Sequence, residues 1–254
     1  MEDLYTLLEK AESNDDYRTI LESLRWPEGF SCPRCGDTKA YRIESRKLME
    51  CRQCQAQISA TSGTALHGVK NLKLWVKAIL TLLEEDGLSS TSLSLLFKLD
   101  YATTWFMMQK IRLVLGKHLE DFLGDTREEV SIPCATLKKA LFKRSGERRI
   151  QYCQNAHEAE KDGGKNDGKN SVEPIDQLVQ ESTRILIAYL LGTFYGVSRK
   201  YSQLYVYENS IRLAAAVIDP LSLITCFVRG SPLPRKEILK YIAPQLLRRS
   251  YRLS

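Results

Sequence analysis

The chain has 254 residues, 43% of them hydrophobic and 27% charged, which is enough for one large domain or two to three small ones with a buried core. Its net charge of +6 is mild, and no run is long and apolar enough to span a membrane, which excludes a helical membrane protein. No secretory leader stands ahead of the cysteines, so a reducing, cytoplasmic and nucleoid-associated setting is expected.

The charge is unevenly spread. Residues 1–30 carry eight acids against three bases, residues 31–80 nine bases against three acids, and residues 199–254 ten bases against three acids. A basic segment behind an acidic leader points to phosphate contact by that segment.

In chain order, residues 3–25 show helical spacing in two halves, with a break and N-cap at residues 13–16; Pro27 and Gly29 end the second half. Residues 1–29 form a helical leader on this reading. Next come Cys32, Cys35, Cys51 and Cys54, spaced C-x2-C-x15-C-x2-C. Each C-x2-C pair makes a knuckle that aims two thiolates at one point, and two knuckles complete a tetrahedron around a structural Zn²⁺. Residues 40–44 and 47–50 are placed to pair as a short hairpin between them. The predicted zinc ribbon covers residues 30–62. His67, just beyond it, is expected as a polar cap or a phosphate contact.

Ser62, Gly63 and Thr64 make a turn. Residues 72–85 then read as an amphipathic helix, residues 89–96 as a second helix capped by Ser89 or Ser90, and residues 102–122 as a third, with Trp105, Met108, Ile111, Leu115 and Leu119 on its apolar face. A turn at residues 98–101 joins the last two. This is the outline of a helix-turn-helix within a three-helix domain at residues 68–123. Residues 124–174 are irregular and basic; their polar stretch at 155–172 is expected as a flexible linker. Cys134, Cys153 and His157 are only a weak second metal set. Helical periodicity returns at 175–191, and residues 236–252 read as a basic helix. Residues 175–254 form the C-terminal region.

The run LRWPEGFSCPRCG, followed by CRQCQAQISATSGTALHGVKNLKLW and DGLSSTSLSLLFKLDYATTWFMMQKIR, closely resembles the N-terminal region of bacterial insertion-sequence transposases. These carry a zinc ribbon and a helix-turn-helix ahead of a DDE-type nuclease core. A second likeness, YGVSRKYSQLYVYE, places Tyr195 at a family histidine position and Glu208 at an acidic one. The resemblance implies duplex DNA as partner, with a second copy of the chain or an intact transposase as further partners. It also implies a ribonuclease H-like core that uses Mg²⁺ if functional.

The sequence departs from that core. Where the family has its first catalytic aspartate strand, this chain reads Val130-Ser131-Ile132-Pro133, and serine is a poor substitute for a charged oxygen ligand. A core of this kind needs on the order of 100–150 residues, and only residues 126–191 lie between Asp125 and Gly192. The expected fold is therefore α+β, mostly helical, with a small β zinc ribbon and a C-terminal remnant of a ribonuclease H-like core.

The expected function is binding of element-end DNA without strand transfer. Glu208 is the one weak catalytic candidate. Alternatives are an active DDE-type transposase with a compact or partner-completed core, and a zinc-ribbon protein–protein adaptor. The expected DNA contacts are Arg34, Lys39, Arg46, Lys47 and Arg52 on the ribbon, Lys70 and Lys73 after it, and Tyr101, Thr103, Gln109, Lys110 and Arg112 on the third helix.

Overall fold

The computed structural model describes residues 3–83, 88–123, 127–137, 140–142 and 174–252. The polar stretch at 155–172, together with Cys153 and His157, lies outside the described residues. The described chain is mostly helical, with small sheets, and divides into two compact units: residues 1–83 with 217–235, and residues 84–216 with 236–254.

The first unit opens with α1 (Leu4–Lys10) and α2 (Asn14–Arg25). Ser13 caps α2 in a reciprocal capping box with Asp16, which satisfies two backbone donors that the helix start leaves unpaired. Asp16 is held below the usual carboxylate range by the N–H groups of Ser13 and Glu12. Strands β1 (Ala40–Ile43), β2 (Leu48–Cys51) and β3 (Gln57–Ile58) make an antiparallel three-stranded sheet, with Ala40 opposite Cys51 and Ile43 opposite Leu48. The expected hairpin is present, and a third short strand joins it. Helix α3 (Leu72–Leu80), capped by Asn71, continues as a tighter turn over Thr81–Leu83. Helix α9 (Pro220–Arg229) packs on both α2 and α3. Asp219 caps that helix, accepting from the Ser222 N–H at 2.7 Å, and also accepts from the Tyr5 hydroxyl at 2.6 Å. The apolar face of α9 thus supplies core to the N-terminal unit, with Phe227 fully buried.

The second unit is built on α4 (Ser90–Phe97), α5 (Tyr101–Lys117), α6 (Leu119–Leu123), α7 (Pro174–Phe194) and α8 (Ser202–Leu213). The 68–123 span is therefore shared between units, with α3 in the first and α4 and α5 in the second. The expected third helix breaks at His118. Strand β4 (Arg127–Pro133) pairs antiparallel with β7 (Leu246–Arg252), while β5 (Leu141–Phe142) pairs parallel with β6 (Val197–Ser198). The basic helix expected over 236–252 is corrected. Only α10 (Arg235–Leu239) is helical, and the chain then runs as β7. Pro244 lacks a donor for a continuing helix, and after it Leu247 and Arg249 turn inward while Leu246 and Arg248 stay exposed, the two-residue alternation of a strand. Buried Arg249 donates to Asn209 Oδ1 at 3.1 Å and to the Ser182 carbonyl at 3.3 Å, so its charge enters the core with partners.

Helices α5 and α8 approach closely at Gly116. A Cβ there would collide with the ring of Tyr207. The core around them holds Val130, Ile132, Leu137, Leu186, Leu190, Val206 and Leu247.

Candidate metal centre and nucleic-acid surface

The first knuckle turns at Gly36 (φ +80°) and the second at Gln55 (φ +57°), with Gly36 N–H bonded to the Cys32 carbonyl and Gln55 N–H to the Cys51 carbonyl, at 2.9 and 3.0 Å. These tight turns bring the four thiols into one cluster, every Sγ within 4.8 Å of the others. Cys32 and Cys54 sulfurs lie 3.6 Å apart, Cys35 and Cys51 sulfurs 3.5 Å apart. A tetrahedron with bonds of roughly 2.3 Å has edges of roughly 3.8 Å, so the donor set fits Zn²⁺ in both chemistry and spacing. Cys32 is drawn down to about 6: burial opposes this, but the N–H groups of Arg34 and Cys35 overcome it. Cys35 is pushed up to about 12; the Asp37 N–H pulls the other way, but burial and the neighbouring thiols prevail. Unaided, the cluster sheds its protons unequally, and a divalent cation would hold all four sulfurs as thiolates.

Beneath the sulfurs lies a small apolar cluster of Ile58, Trp26, Phe30 and Ala56. Arg25 ties this cluster to the exit of the ribbon. Its guanidinium donates to the carbonyls of Ser59, Ala60 and Ser62 at 2.7–3.0 Å and stacks 4.8 Å from the Trp26 ring centre. The Arg25-Trp26-Pro27 lead-in is a clamp between α2 and the ribbon, a role with no local sequence signal.

Arg34, Lys39, Arg46, Lys47 and Arg52 are all exposed on the ribbon. Arg52 N–H bonds the Lys39 carbonyl at 2.9 Å, placing these two bases side by side at the knuckle end. Arg46 and Lys47 lie at the hairpin tip, separated from them by a four-residue ladder of roughly 13 Å. Part of this charge is answered by the acidic leader: Lys47 pairs with Asp15 at 3.5 Å and Arg42 with Glu22 at 2.9 Å. Exposed pairs of this kind contribute little to stability. Tyr41, 57% exposed, carries the Arg52 guanidinium 4.4 Å over its ring. This aromatic–basic pair was missed as a contact candidate; the interleaving of Tyr41 with Arg42 and Arg52 was the available signal. Lys70 is exposed and Lys73 half-buried, with the Lys73 backbone N–H bonded to Asn14 Oδ1. His67 accepts from the Gly63 N–H at 3.2 Å and so closes the turn after the ribbon.

Helices α4 and α5 are joined by a tight turn. Lys98 adopts the left-handed region (φ +53°), with its N–H on the Leu95 carbonyl and the Leu99 N–H on the Ser94 carbonyl, the bonding of a Schellman stop. Asp100 then caps α5 through the Thr103 N–H at 2.9 Å, and the Thr103 hydroxyl, followed by that N–H, holds its carboxyl below the usual range. Tyr101 and Thr103 are exposed, as contacts at the start of a recognition helix would be. Lys110 is half-buried, and burial lowers its ammonium pKa.

Two expected DNA contacts are corrected. Gln109 and Arg112 are each 0% exposed and face the core. Arg112 Nε bonds Glu208 Oε2 at 2.5 Å, and Arg212 binds the other carboxylate oxygen at 2.9–3.0 Å. Gln109, with its amide oxygen turned inward, accepts from Trp105 Nε1, the Tyr205 hydroxyl and Arg112. The Arg112 guanidinium stacks 4.1 Å from the Tyr205 ring centre. Glu208, the weak catalytic candidate, belongs to the same buried network. It is 0% exposed, and although burial raises its pKa, the two arginines outweigh that and hold it ionised below the usual carboxylate range. Each of its two oxygens accepts from a guanidinium group. Among the described residues, the four cysteines are the group of metal-ligating side chains that converges.

Residues 12–57 match the family model of the transposase zinc-ribbon domain (IS1595 type). That span holds α2, both knuckles and the ribbon sheet. No curated protein and no solved structure matches the chain. No described helix is long and apolar enough to cross a membrane.

Proposed function

We propose that this chain is a transposase-related protein that binds duplex DNA at the ends of a mobile element and does not itself carry out strand transfer. The observation that carries this reading is the match of residues 12–57 to a transposase zinc ribbon together with the four converging cysteine sulfurs. Zn²⁺ holds the ribbon rigid, and its exposed bases, Arg34, Lys39, Arg46 and Arg52, contact phosphates. Tyr101 and Thr103, at the exposed start of α5, reach base edges. The same docking lets the chain compete with an intact transposase for its ends, alone or as a homo-oligomer.

The absence of strand transfer is supported by the occupation of Glu208, whose carboxylate neutralises two arginines, and by Ser131 in the strand expected to carry a catalytic aspartate. A two-metal site needs several carboxylates free to bind cations. The antiparallel β4–β7 pair under α7 is what would remain of a ribonuclease H-like core. Fluorescence anisotropy with a terminal-repeat duplex at low salt tests the binding; no measurable affinity would favour a protein–protein adaptor. Incubation of the same duplex with Mg²⁺ or Mn²⁺ tests the chemistry, and nicking that disappears in Glu208→Gln would establish an active enzyme.

A further inference from the structure

Within the second unit, a cleft of about 360 Å³ opens between the start of α4, the start of α5 and the end of α7. Aromatic rings line it: Tyr101 and Tyr195 at its mouth, 49% and 57% exposed, with buried Phe194 and Tyr205 behind them. The lining residues also include the hydroxyl run at 89–92, and among the described residues no acidic side chain lines the cleft. The volume lies in the range of small-ligand sites and suits one flat heteroaromatic ring rather than a folded partner.

Tyr195 draws attention to this cleft for a second reason. It stands directly after α7 with φ +56°, its N–H on the Leu191 carbonyl, and Gly196 N–H on the Leu190 carbonyl. That stop position is ordinarily filled by glycine, because a side chain there is strained. A bulky aromatic at such a position costs stability, and here the strained backbone directs its ring to the mouth of the cleft. Strain held at one residue is a mark of sites where the side chain is needed.

The geometry points to a nucleobase-binding cleft: it receives one unpaired base of bound DNA, stacked on Tyr195 and Tyr101, with the hydroxyls at 89–92 available to the base edge or its sugar. Every base offers a π-face, so stacking of this kind tolerates sequence. The cleft adjoins Tyr101, which the proposed function places on DNA, and this inference rests on that reading.

The test uses the full-length, zinc-loaded protein and two duplexes bearing 2-aminopurine, one fully paired and one with the fluorescent base unpaired in a short overhang. Wild-type protein is expected to quench the unpaired base and to bind the overhang duplex roughly tenfold more tightly, the worth of one base stacked on an aromatic ring. Tyr195→Gly is expected to lose the quenching and the preference while keeping its affinity for paired duplex and an equal or higher melting temperature, since glycine suits the backbone there. Tyr101→Ala should lose the preference as well. Equal affinity of Tyr195→Gly and wild type for the overhang would overturn the cleft and leave duplex binding standing. Failure of wild-type protein to bind either duplex would overturn the duplex-binding reading and this one with it.

Discussion

The ribbon and the α5–α8 core use arginine in opposite ways. On the ribbon, Arg34, Arg46 and Arg52 stand in solvent on a frame too small to hold itself without metal. In the core, Arg112, Arg212 and Arg249 are withdrawn from water and matched to Glu208, Asn209 and backbone carbonyls. A charge near water is available to phosphate; a charge without water is committed to the partner that allows its burial. Residue type alone does not separate the two, and burial does. The largest effect expected from this contrast is on the ribbon. Cys35→Ser, or chelation of the metal, should release about one Zn²⁺ per chain and unfold residues 30–60, because binding of the ion and folding of the hairpin are one event worth on the order of 10 kcal/mol. Metal analysis and ribbon amide exchange check this, and the second unit should keep its melting transition.

Breaking the buried triad comes next. Arg112→Leu leaves the Glu208 carboxylate with Arg212 alone and should cost about 3–5 kcal/mol in urea unfolding. The triad also sets a pH dependence. Glu208 is depressed in the folded state relative to its unfolded value of 4.5, so its contribution is fully present above that value and is lost as pH falls through the lower folded pKa. Stability of the second unit should therefore decline below pH 4.5 in the wild type, and less steeply in Glu208→Gln. A flat profile would mean that the arginines do not hold the carboxylate as described.

A smaller effect is expected where the same helices touch. Gly116→Ala pushes a methyl into the Tyr207 ring and should destabilise by about 1–3 kcal/mol, the usual range for overpacking. The smallest concerns the α4–α5 turn. Asp100→Ala removes the α5 cap and should cost about 1 kcal/mol, whereas Lys98→Gly should be neutral or stabilising by less than about 1 kcal/mol at its left-handed position. Thermal melts of the two variants in parallel distinguish a working cap from an incidental contact.

What was legible in the sequence follows the reach of its signals. The knuckles, the hairpin, the cap within residues 13–16, the cap at Ser89 or Ser90 and the turn at 98–101 are each written within a few residues, and the structure has them at Ser13, at Ser89 and, for the turn, ahead of Tyr101. Arg112 and Glu208 are 96 residues apart, and nothing local marks either as the other's partner; from sequence, Arg112 reads as a DNA contact and Glu208 as a weak catalytic candidate. The C-terminal strand was misread for a related reason. Its inward side carries Arg249 beside Leu247, so the alternation is blurred by a buried arginine whose partners, Asn209 and Ser182, lie elsewhere in the chain. The division of residues 68–123 between units depends on α9 returning to α2 and α3, again a non-local pairing.

On the proposed function, exposed ribbon bases meet DNA and buried core arginines do not. The most direct test is the dependence of duplex affinity on salt, measured for the wild type, Arg52→Ala and Arg112→Leu with zinc bound and at a temperature where all three remain folded. Each phosphate contact contributes about 0.9 to the slope of log affinity against log salt. The slope should fall by about one contact in Arg52→Ala and stay at the wild-type value in Arg112→Leu. An unchanged slope in Arg52→Ala, with a reduced one in Arg112→Leu, would contradict the assignment.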